Sequence, residues 1–193
     1  MLAAMAERIV VVGISGAGKS TFARMLAARI GAEHVELDRH YWRSGWTTAE
    51  LADFRSAVEA AVAAPRWVVD GNYRAVRDLV WPRADTIVWI NYSFARVLRQ
   101  SLVRAVTRII SREELWHGNR ESFRKTFLSR ESILLWVVTM FHRRRRELSE
   151  LRSGGSFGHL TWHEVRQPKQ LAACLEELGP PARSSVSAAA QRT

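Results

Sequence analysis

The residues with the clearest chemical meaning form a glycine-rich stretch near the N-terminus, Gly13-Ile14-Ser15-Gly16-Ala17-Gly18-Lys19-Ser20. This stretch fits the pattern G-x-x-x-x-G-K-[ST], which is typical of the phosphate-binding loop, or P-loop. Glycines allow backbone N–H groups to converge on phosphate oxygens, Lys19 can reach the β- and γ-phosphates, and Ser20 can place its hydroxyl on Mg²⁺. The residues predicted to contact a bound nucleotide are Gly13, Ser15, Gly16, Ala17, Gly18, Lys19, Ser20 and Thr21.

A strand must lead into such a loop and a helix must leave it. The sequence supplies both, with a β-branched run over 8–12 and a run of helix formers over 21–30. The helix N-terminus adds a partial positive charge where the phosphates would lie. The alternative, a chance glycine-rich turn, does not account for these flanking elements.

Two acidic residues are predicted to reach the same loop. Asp38 ends a second predicted strand over 34–38, and Asp70 ends a third over 66–70. Because parallel strands end at one edge of a sheet, both carboxylates should converge on the P-loop. Asp70 is predicted to hold Mg²⁺ directly or through water, as an acid in that place does in phosphoryl transfer. The plain alternative for both acids is a cap or turn residue.

Strands and helices alternate along the chain, which predicts a doubly wound α/β/α protein with a five-stranded parallel sheet. A capping box of Thr47 and Glu50 is expected to start the helix that ends near residue 64. The predicted buried face of that helix is Leu51, Phe54, Val58 and Val62. The remaining predicted elements are strands over 8–13, 84–90 and 160–165 and helices over 19–30, 75–80, 94–110, 131–151 and 168–178.

Composition limits the class of protein. The 193 residues, of which 47% are hydrophobic, suit one domain over 1–178, followed by a Pro-, Ser- and Ala-rich tail over 179–193 that we expect to be disordered. The single cysteine, Cys174, excludes an internal disulfide and favours the cytoplasm. The first residues lack the features of a signal peptide, and the longest apolar run, 133–141, is too short to span a bilayer.

The formal charge of +10 is unevenly distributed. Residues 91–152 contain 13 Arg and one Lys against six Glu, which leaves a net charge of +8. The run Arg143–Arg146 belongs to the basic end of the helix predicted over 131–151, where cations complement the helix dipole. A solvated face is the favoured interpretation of the run. A patch for nucleic acid or an anionic membrane is the alternative.

Four stretches together resemble the small P-loop kinases of the adenylate kinase-like superfamily. They are GISGAGKST from Gly13, ELD with the following YWRSGW, WVVDGNYR, and ELWHGNRESFR. The combination is most similar to a bacterial group labelled "topology modulation protein". The resemblance covers about 8–178 and implies a nucleotide-binding phosphotransferase fold, ATP and Mg²⁺ as cofactors, and a small basic lid over about 104–128.

The resemblance also implies roles for individual residues. Asp38 would accept a hydrogen bond from the acceptor hydroxyl and act as a base, or would help to hold Mg²⁺. Arg74, in the place of the last residue of an Asp-Gly-Phe-Pro-Arg run, would contact a phosphate of the acceptor. In the lid, Asn119 and Arg120 are the favoured pair, with Arg120 catalytic. The other lid candidates are Arg108, Arg112 and Arg124.

An aromatic loop follows Asp38. Trp42, with Tyr41 and Trp46, could form a wall against a base or a sugar ring. Tryptophan is also often packed without any ligand, and the sequence favours neither interpretation. Trp42 is therefore a candidate substrate contact on equal terms with a packing residue.

Three functions are consistent with these features. The first is an ATP- and Mg²⁺-dependent kinase for a nucleotide, a nucleoside or another small acceptor. The second is a nucleic-acid-associated P-loop protein, which the basic segment suggests without favouring it. The third is a P-loop ATPase that uses water as its acceptor. The sequence specifies neither the acceptor nor the oligomeric state.

Overall fold

The computed structural model describes residues 6–120 and 133–179, and it contains one parallel sheet. The strands are β1 (Arg8–Gly13), β2 (Glu33–Glu36), β3 (Trp67–Asp70), β4 (Thr86–Ile90) and β5 (Thr161–Val165). They lie in the order β2-β3-β1-β4-β5, and every neighbouring pair is parallel. The central strand β1 thus leads directly into the P-loop, with β3 on one side and β4 on the other.

Helices connect the strands and cover both faces of the sheet. They are α1 (Lys19–Ile30), α2 (Leu37–Tyr41), α3 (Leu51–Ala61), α4 (Arg77–Val80), α5 (Phe94–Ser111), α6 (Ile133–Ser153) and α7 (Pro168–Leu178). Short 3₁₀ turns occur at Ser44–Trp46, Arg74–Val76, Trp81–Arg83 and Trp116–Gly118.

Two hydrophobic cores lie on opposite faces of the sheet. In β1, Ile9 and Val11 pack with α1 and α7, whereas Val10 and Val12 pack with α3 and α4. All four side chains are almost completely buried, as expected for a central parallel strand covered on both faces. The three-layer α/β/α fold with a five-stranded parallel sheet is therefore confirmed.

Helix α6 contributes to both cores, since Phe141 packs in the first and Leu148 in the second. Cys174 of α7 belongs to the first core, where burial raises the pKa of its thiol to about 12. This is the packing role expected for the single cysteine. Within the described ranges, no helix combines the length and the apolar character needed to cross a membrane.

The prediction that Asp38 ends the second strand is wrong. Strand β2 stops at Glu36, which is in register with Asp70 at the end of β3. The chain then turns at once into α2, and Asp38 lies in its first turn. Leu37 is buried, as expected both for the next inward-facing residue of a strand after Val35 and for the first residue of a helix. Its burial therefore does not mark the boundary between β2 and α2.

The capping box of Thr47 and Glu50 is also wrong. The segment before α3 is held extended by an antiparallel bridge between Trp42 and Thr48, so the helix begins only at Leu51 with no side-chain cap. Leu51 is 59% exposed, which corrects its predicted burial. The other three residues of the predicted buried face, Phe54, Val58 and Val62, are buried as expected.

Several predictions fall outside the described residues. These are residues 121–128 of the proposed lid, including Arg124, and the tail from residue 180 onward. They stay predictions.

Candidate active site

The P-loop connects β1 to α1 and is tightly enclosed. A Cβ atom on Gly13 would lie 2.6 Å from the carbonyl oxygen of Ile90 at the end of β4, and one on Gly16 would lie 2.0 Å from Oγ of Ser101 in α5. Both glycines also have positive φ angles, 149° and 84°. The loop is therefore packed between a strand end and a helix in a conformation that only glycine fits at these two positions.

Lys19 folds back over the loop that precedes it. Its Nζ donates a hydrogen bond to the carbonyl oxygen of Ile14, at 3.2 Å. Burial lowers the pKa of Lys19, while the carboxylates of Asp38 and then Asp70 oppose this shift and the nearby guanidinium of Arg104 adds to it. Lys19 thus lies in the field of both acids that the sequence predicted to converge on the loop.

Asp38 is fixed by a residue that the sequence analysis did not select. The hydroxyl of Tyr73 donates a hydrogen bond to Oδ1 of Asp38. Burial raises the pKa of Tyr73, and the negative charge of Asp38 raises it further. The Tyr73 ring packs 4.7 Å from that of Tyr41 and 5.4 Å from that of Phe54, between centroids. The phenol therefore stays protonated and holds Asp38 in place.

Asp70 is 2% exposed at the end of β3. Its Oδ1 lies 3.7 Å from Nε2 of His34, and its Oδ2 accepts no hydrogen bond from any residue that the structure describes. A buried carboxylate oxygen without a donor is costly unless a cation or water meets it. A carboxylate and the hydroxyl of Ser20, at the start of α1, are the kinds of oxygen ligand that Mg²⁺ prefers, and their sharing of one ion stays a prediction.

An aromatic wall borders the side of the site beyond α2. The rings of Trp42 and Trp46 meet edge to face at 5.6 Å, and Trp46 meets Trp116 in the same way at 6.3 Å. Trp116 belongs to the segment 114–120, which follows α5 and which we call the docked segment. The wall therefore combines two parts of the chain that lie about 70 residues apart.

Asn119 joins the docked segment to the aromatic loop. It is 4% exposed, and its Nδ2 donates to the carbonyl oxygens of Arg43 and Trp116, both at 2.8 Å. Its Oδ1 accepts a hydrogen bond from the backbone N–H of Trp46 at 3.0 Å. The Asn119 amide therefore acts as a clamp between the two segments in this structure.

Further bonds hold the docked segment in place. Nε1 of Trp116 donates to Glu36 at the end of β2, at 2.9 Å, and Oγ of Ser44 donates to the carbonyl oxygen of His117, at 3.1 Å. This part of the predicted lid thus rests on the loop that follows Asp38.

Two of the arginines predicted to contact substrate, Arg120 and Arg74, lie at ion pairs in the structure. Arg120 pairs with Glu114 in the docked segment, and its side chain is 54% exposed. Nε of Arg74 lies 3.8 Å from Oε1 of Glu147 in α6, and the Arg74 side chain is 71% exposed. Their roles toward a substrate stay predictions.

Two residues of α5 reach the P-loop and were missed by the sequence analysis. Nη2 of Arg104 donates to Oγ of Ser15 at 3.4 Å, and Oγ of the fully buried Ser101 donates to the Ser15 carbonyl oxygen at 3.5 Å. Val97, Ser101 and Ala105 share the buried face of α5. That four-residue spacing is visible in the sequence and could have singled out Arg104 beside it.

Comparisons with known proteins give matches in structure only. No family model matches the sequence, and no curated protein matches it. A solved shikimate kinase from Bacteroides thetaiotaomicron is similar over 90% of this chain and 96% of its own, with 11% identity and a TM-score of 0.49. A gluconokinase from Sinorhizobium meliloti 1021 is similar over 90% of this chain and 93% of its own, with 18% identity and a TM-score of 0.47. The resemblance to the "topology modulation protein" group is not confirmed.

Proposed function

We propose that this protein is an ATP- and Mg²⁺-dependent phosphotransferase that acts on a nucleotide, a nucleoside or another small acceptor. One observation carries the proposal: the P-loop lysine, Lys19, lies in the electrostatic field of three carboxylates from different elements. Asp38 acts on it most strongly, then Asp70, and Glu36 least. Binding of phosphates alone needs no second acid beside the loop. A second acid fits a site where a phosphoryl group meets an acceptor.

The donor half of the site is the P-loop. Its backbone N–H groups and the N-terminus of α1 would hold the phosphates, and Lys19 would leave the Ile14 carbonyl to contact the β- and γ-phosphates. Ser20 and Asp70 would hold Mg²⁺, which supplies positive charge to the phosphate oxygens when bound. Arg104 is near enough to Ser15 to add a further charge at the loop.

The acceptor half centres on Asp38. Tyr73 occupies Oδ1, and Oδ2 has no hydrogen-bond partner among the described residues, so it can accept one from an acceptor hydroxyl. The acceptor oxygen would then bond to the γ-phosphorus while the bond from that phosphorus to the β,γ-bridging oxygen breaks. The hydroxyl proton passes to Asp38, and ADP leaves.

The remaining predicted contacts line the approach to Asp38. Trp42 would pack against the acceptor, since it stands in the aromatic wall directly after α2. Arg74 would turn from Glu147 toward an acceptor phosphate, and its exposure leaves it free to rotate. Arg120 would turn from Glu114 toward the transferred phosphoryl group. Both arginines would then stabilise charge that develops during transfer.

The test is a product balance. Purified protein is incubated with Mg·ATP and a panel of nucleosides, nucleotides and small hydroxylated metabolites, and new phosphorylated products are identified by mass spectrometry. We expect one class of acceptor to gain a phosphoryl group in molar balance with ADP. Release of ADP and free phosphate in equal amounts with every acceptor would instead support the ATPase.

The nucleic-acid alternative is tested separately. Binding of DNA and RNA is measured at two salt concentrations, because phosphate contacts make such binding fall steeply with salt. In the structure, Arg144 of the four-arginine run pairs with Glu147 at 2.8 Å, and Glu147 also pairs with Arg77 at 2.8 Å. A solvated face remains the favoured interpretation of the run, so we expect no binding near physiological salt.

A further inference from the structure

A cavity separate from the P-loop opens beside the carboxyl ends of β4 and β5. Its volume is about 390 Å³, and it lies between these strand ends and the second half of α6. Trp89 and Asn91 line it from the β4 side, and Arg145 and Arg152 line it from α6. Pockets of this size hold small organic ligands.

The charge of the lining is unbalanced. Arg145, Arg152 and Arg166 face a single acid, Glu164, which leaves a formal charge of +2 around the cavity. Glu164 already accepts a hydrogen bond from Arg152 at 2.8 Å and one from Arg166 at 2.7 Å. It also accepts from Asn91 at 2.7 Å.

Arg145 is the cation that this network does not use. It makes no ion pair or hydrogen bond with the residues in 6–120 and 133–179, and its neighbour Arg144 is the one that pairs with Glu147. Residues 145, 149 and 152 are spaced at i, i+4 and i+7, so Arg145, Ser149 and Arg152 share one face of α6. That face lines the cavity.

The fold sets where an anion would sit. The C-terminus of α6, at Ser153, carries a partial negative charge that repels an anion. This effect is limited to the last turn of the helix. Arg145 lies about two turns before that end. An anion near Arg145 and Ser149 therefore avoids the helix end and stays within reach of the arginines.

We propose that this cavity is a second anion site, which binds the phosphate group of a small phosphorylated compound, with Arg145 as its main ligand. A phosphate monoester carries a charge of about −1.5 to −2 at neutral pH, which matches the excess charge of the lining. Ser149 offers a hydroxyl donor, and Arg166 closes the opposite side. The remaining volume accommodates the part of the molecule that bears the phosphate.

The site is a neighbour of the P-loop and not part of it. Trp89, Asn91 and Arg145 also border a narrow gap of about 10 Å³ that reaches Ile14. Ile14 therefore borders the gap and also accepts, through its carbonyl oxygen, the hydrogen bond from Lys19 of the P-loop.

The test separates the two sites by filling the first. The P-loop is saturated with Mg²⁺ and a non-hydrolysable ATP analogue, so that its γ-phosphate position is occupied. Binding of inorganic phosphate and of glycerol 3-phosphate is then measured by calorimetry, at an ionic strength kept constant with chloride. We expect binding of one anion per chain, weakened about tenfold or more by Arg145→Gln.

The matched control is Arg146→Gln. Arg146 is the next residue, is exposed and does not line the cavity, so this variant should bind phosphate as the wild type does. Lys19→Ala should also keep the binding, whatever it does to nucleotide. The proposal is overturned if no phosphate binds in the presence of the analogue, if both arginine variants weaken binding equally, or if Lys19→Ala abolishes it.

Discussion

The two halves of the candidate active site are built in different ways. The donor half is one contiguous loop between β1 and α1, and its shape depends on backbone geometry at Gly13 and Gly16. The acceptor half joins α2 and the aromatic loop to the docked segment, about 70 residues later in the chain. There the contacts are hydrogen bonds from side chains such as Asn119 and Trp116.

This difference bears on specificity. A loop that binds through backbone N–H groups recognises phosphates and little else. A wall of side chains from separate segments can change shape and polarity by single substitutions while the loop stays intact. We therefore expect the acceptor half to determine which substrate is bound. We also expect that a substitution can damage one half while the other half keeps its function.

The largest effect is expected from Lys19→Ala in the donor half. Transfer should fall by about a thousandfold, the scale of losing one main electrostatic stabiliser of the transition state. The melting temperature should stay near that of the wild type, because burial already disfavours the charged form of Lys19. Full activity in a purified, folded variant would contradict the assignment of the P-loop as the donor site.

Asp38→Asn should damage the acceptor half alone. Loss of the proton acceptor should lower transfer about a hundredfold, while the affinity for Mg·ADP, measured by calorimetry, changes less than about threefold. Tyr73→Phe is the milder companion, because it removes only the hydrogen bond to Oδ1. Equal losses of nucleotide affinity and of transfer in Asp38→Asn would place Asp38 in the donor half.

Gly16→Ala tests the enclosure of the P-loop. The new methyl group would clash with Oγ of Ser101, and residue 16 would keep a left-handed backbone conformation that alanine disfavours. We therefore expect the free energy of unfolding to fall by about 3 kcal/mol and nucleotide binding to weaken. Gly45→Ala is the matched control, since Gly45 has a similar φ of 72° but nothing within 4 Å of its Cβ position. It should cost about 1 kcal/mol. If chemical denaturation shows the same loss of stability in Gly16→Ala and Gly45→Ala, the P-loop is not enclosed as described.

Asn119→Ala tests the clamp of the acceptor half. Its loss leaves the partly buried N–H of Trp46 and the carbonyl oxygen of Arg43 without this partner, so we expect about 2 kcal/mol of lost stability. The acceptor KM should rise while the Kd for Mg·ADP stays within twofold. As a control, Ser44→Ala removes one exposed bond and should cost less than about 0.5 kcal/mol. A rise in the Kd for Mg·ADP in Asn119→Ala would show that the two halves are coupled.

The smallest effect is expected in the pH dependence of nucleotide binding. Phosphates bind the protonated form of Lys19, and burial lowers its pKa in the free protein. As the pH rises, the affinity for Mg·ADP should therefore begin to fall at a lower pH than the pH at which an ordinary lysine loses its proton. In Lys19→Arg the fall should disappear, because a guanidinium stays charged over that range. If the wild type and Lys19→Arg lose affinity over the same alkaline pH range, the loss is due to a titrating group other than Lys19.

The strand, loop and helix of the P-loop followed from the sequence, because all of their residues are contiguous. The role of the loop as the donor site stays a prediction. The convergence of Asp70 with the loop also followed, since β3 lies beside β1 in a parallel sheet. Asp38 reached the site by a different route, from the first turn of α2.

The acceptor half was less accessible to sequence reasoning. Asn119 was singled out for the lid, but nothing in its spacing shows that its amide binds the backbone of the aromatic loop. Tyr73 was missed for the same reason. The spacing in α5 indicates a buried face beside Arg104, but it does not identify the residue that Arg104 contacts. Their partners, Asp38 and Ser15, are 35 and 89 residues away, and such pairs are fixed only by the packing of helices on the sheet.

The central claim is that the two halves meet in one transfer step at Lys19 and Asp38. A double-mutant cycle tests it most directly, with transfer from Mg·ATP to the identified acceptor measured in the wild type, Lys19→Ala, Asp38→Asn and the double variant. Residues that act on the same step show strongly non-additive losses. We predict that the double variant is little worse than Lys19→Ala alone. Losses that multiply, or an Asp38→Asn variant as active as the wild type, would contradict the claim.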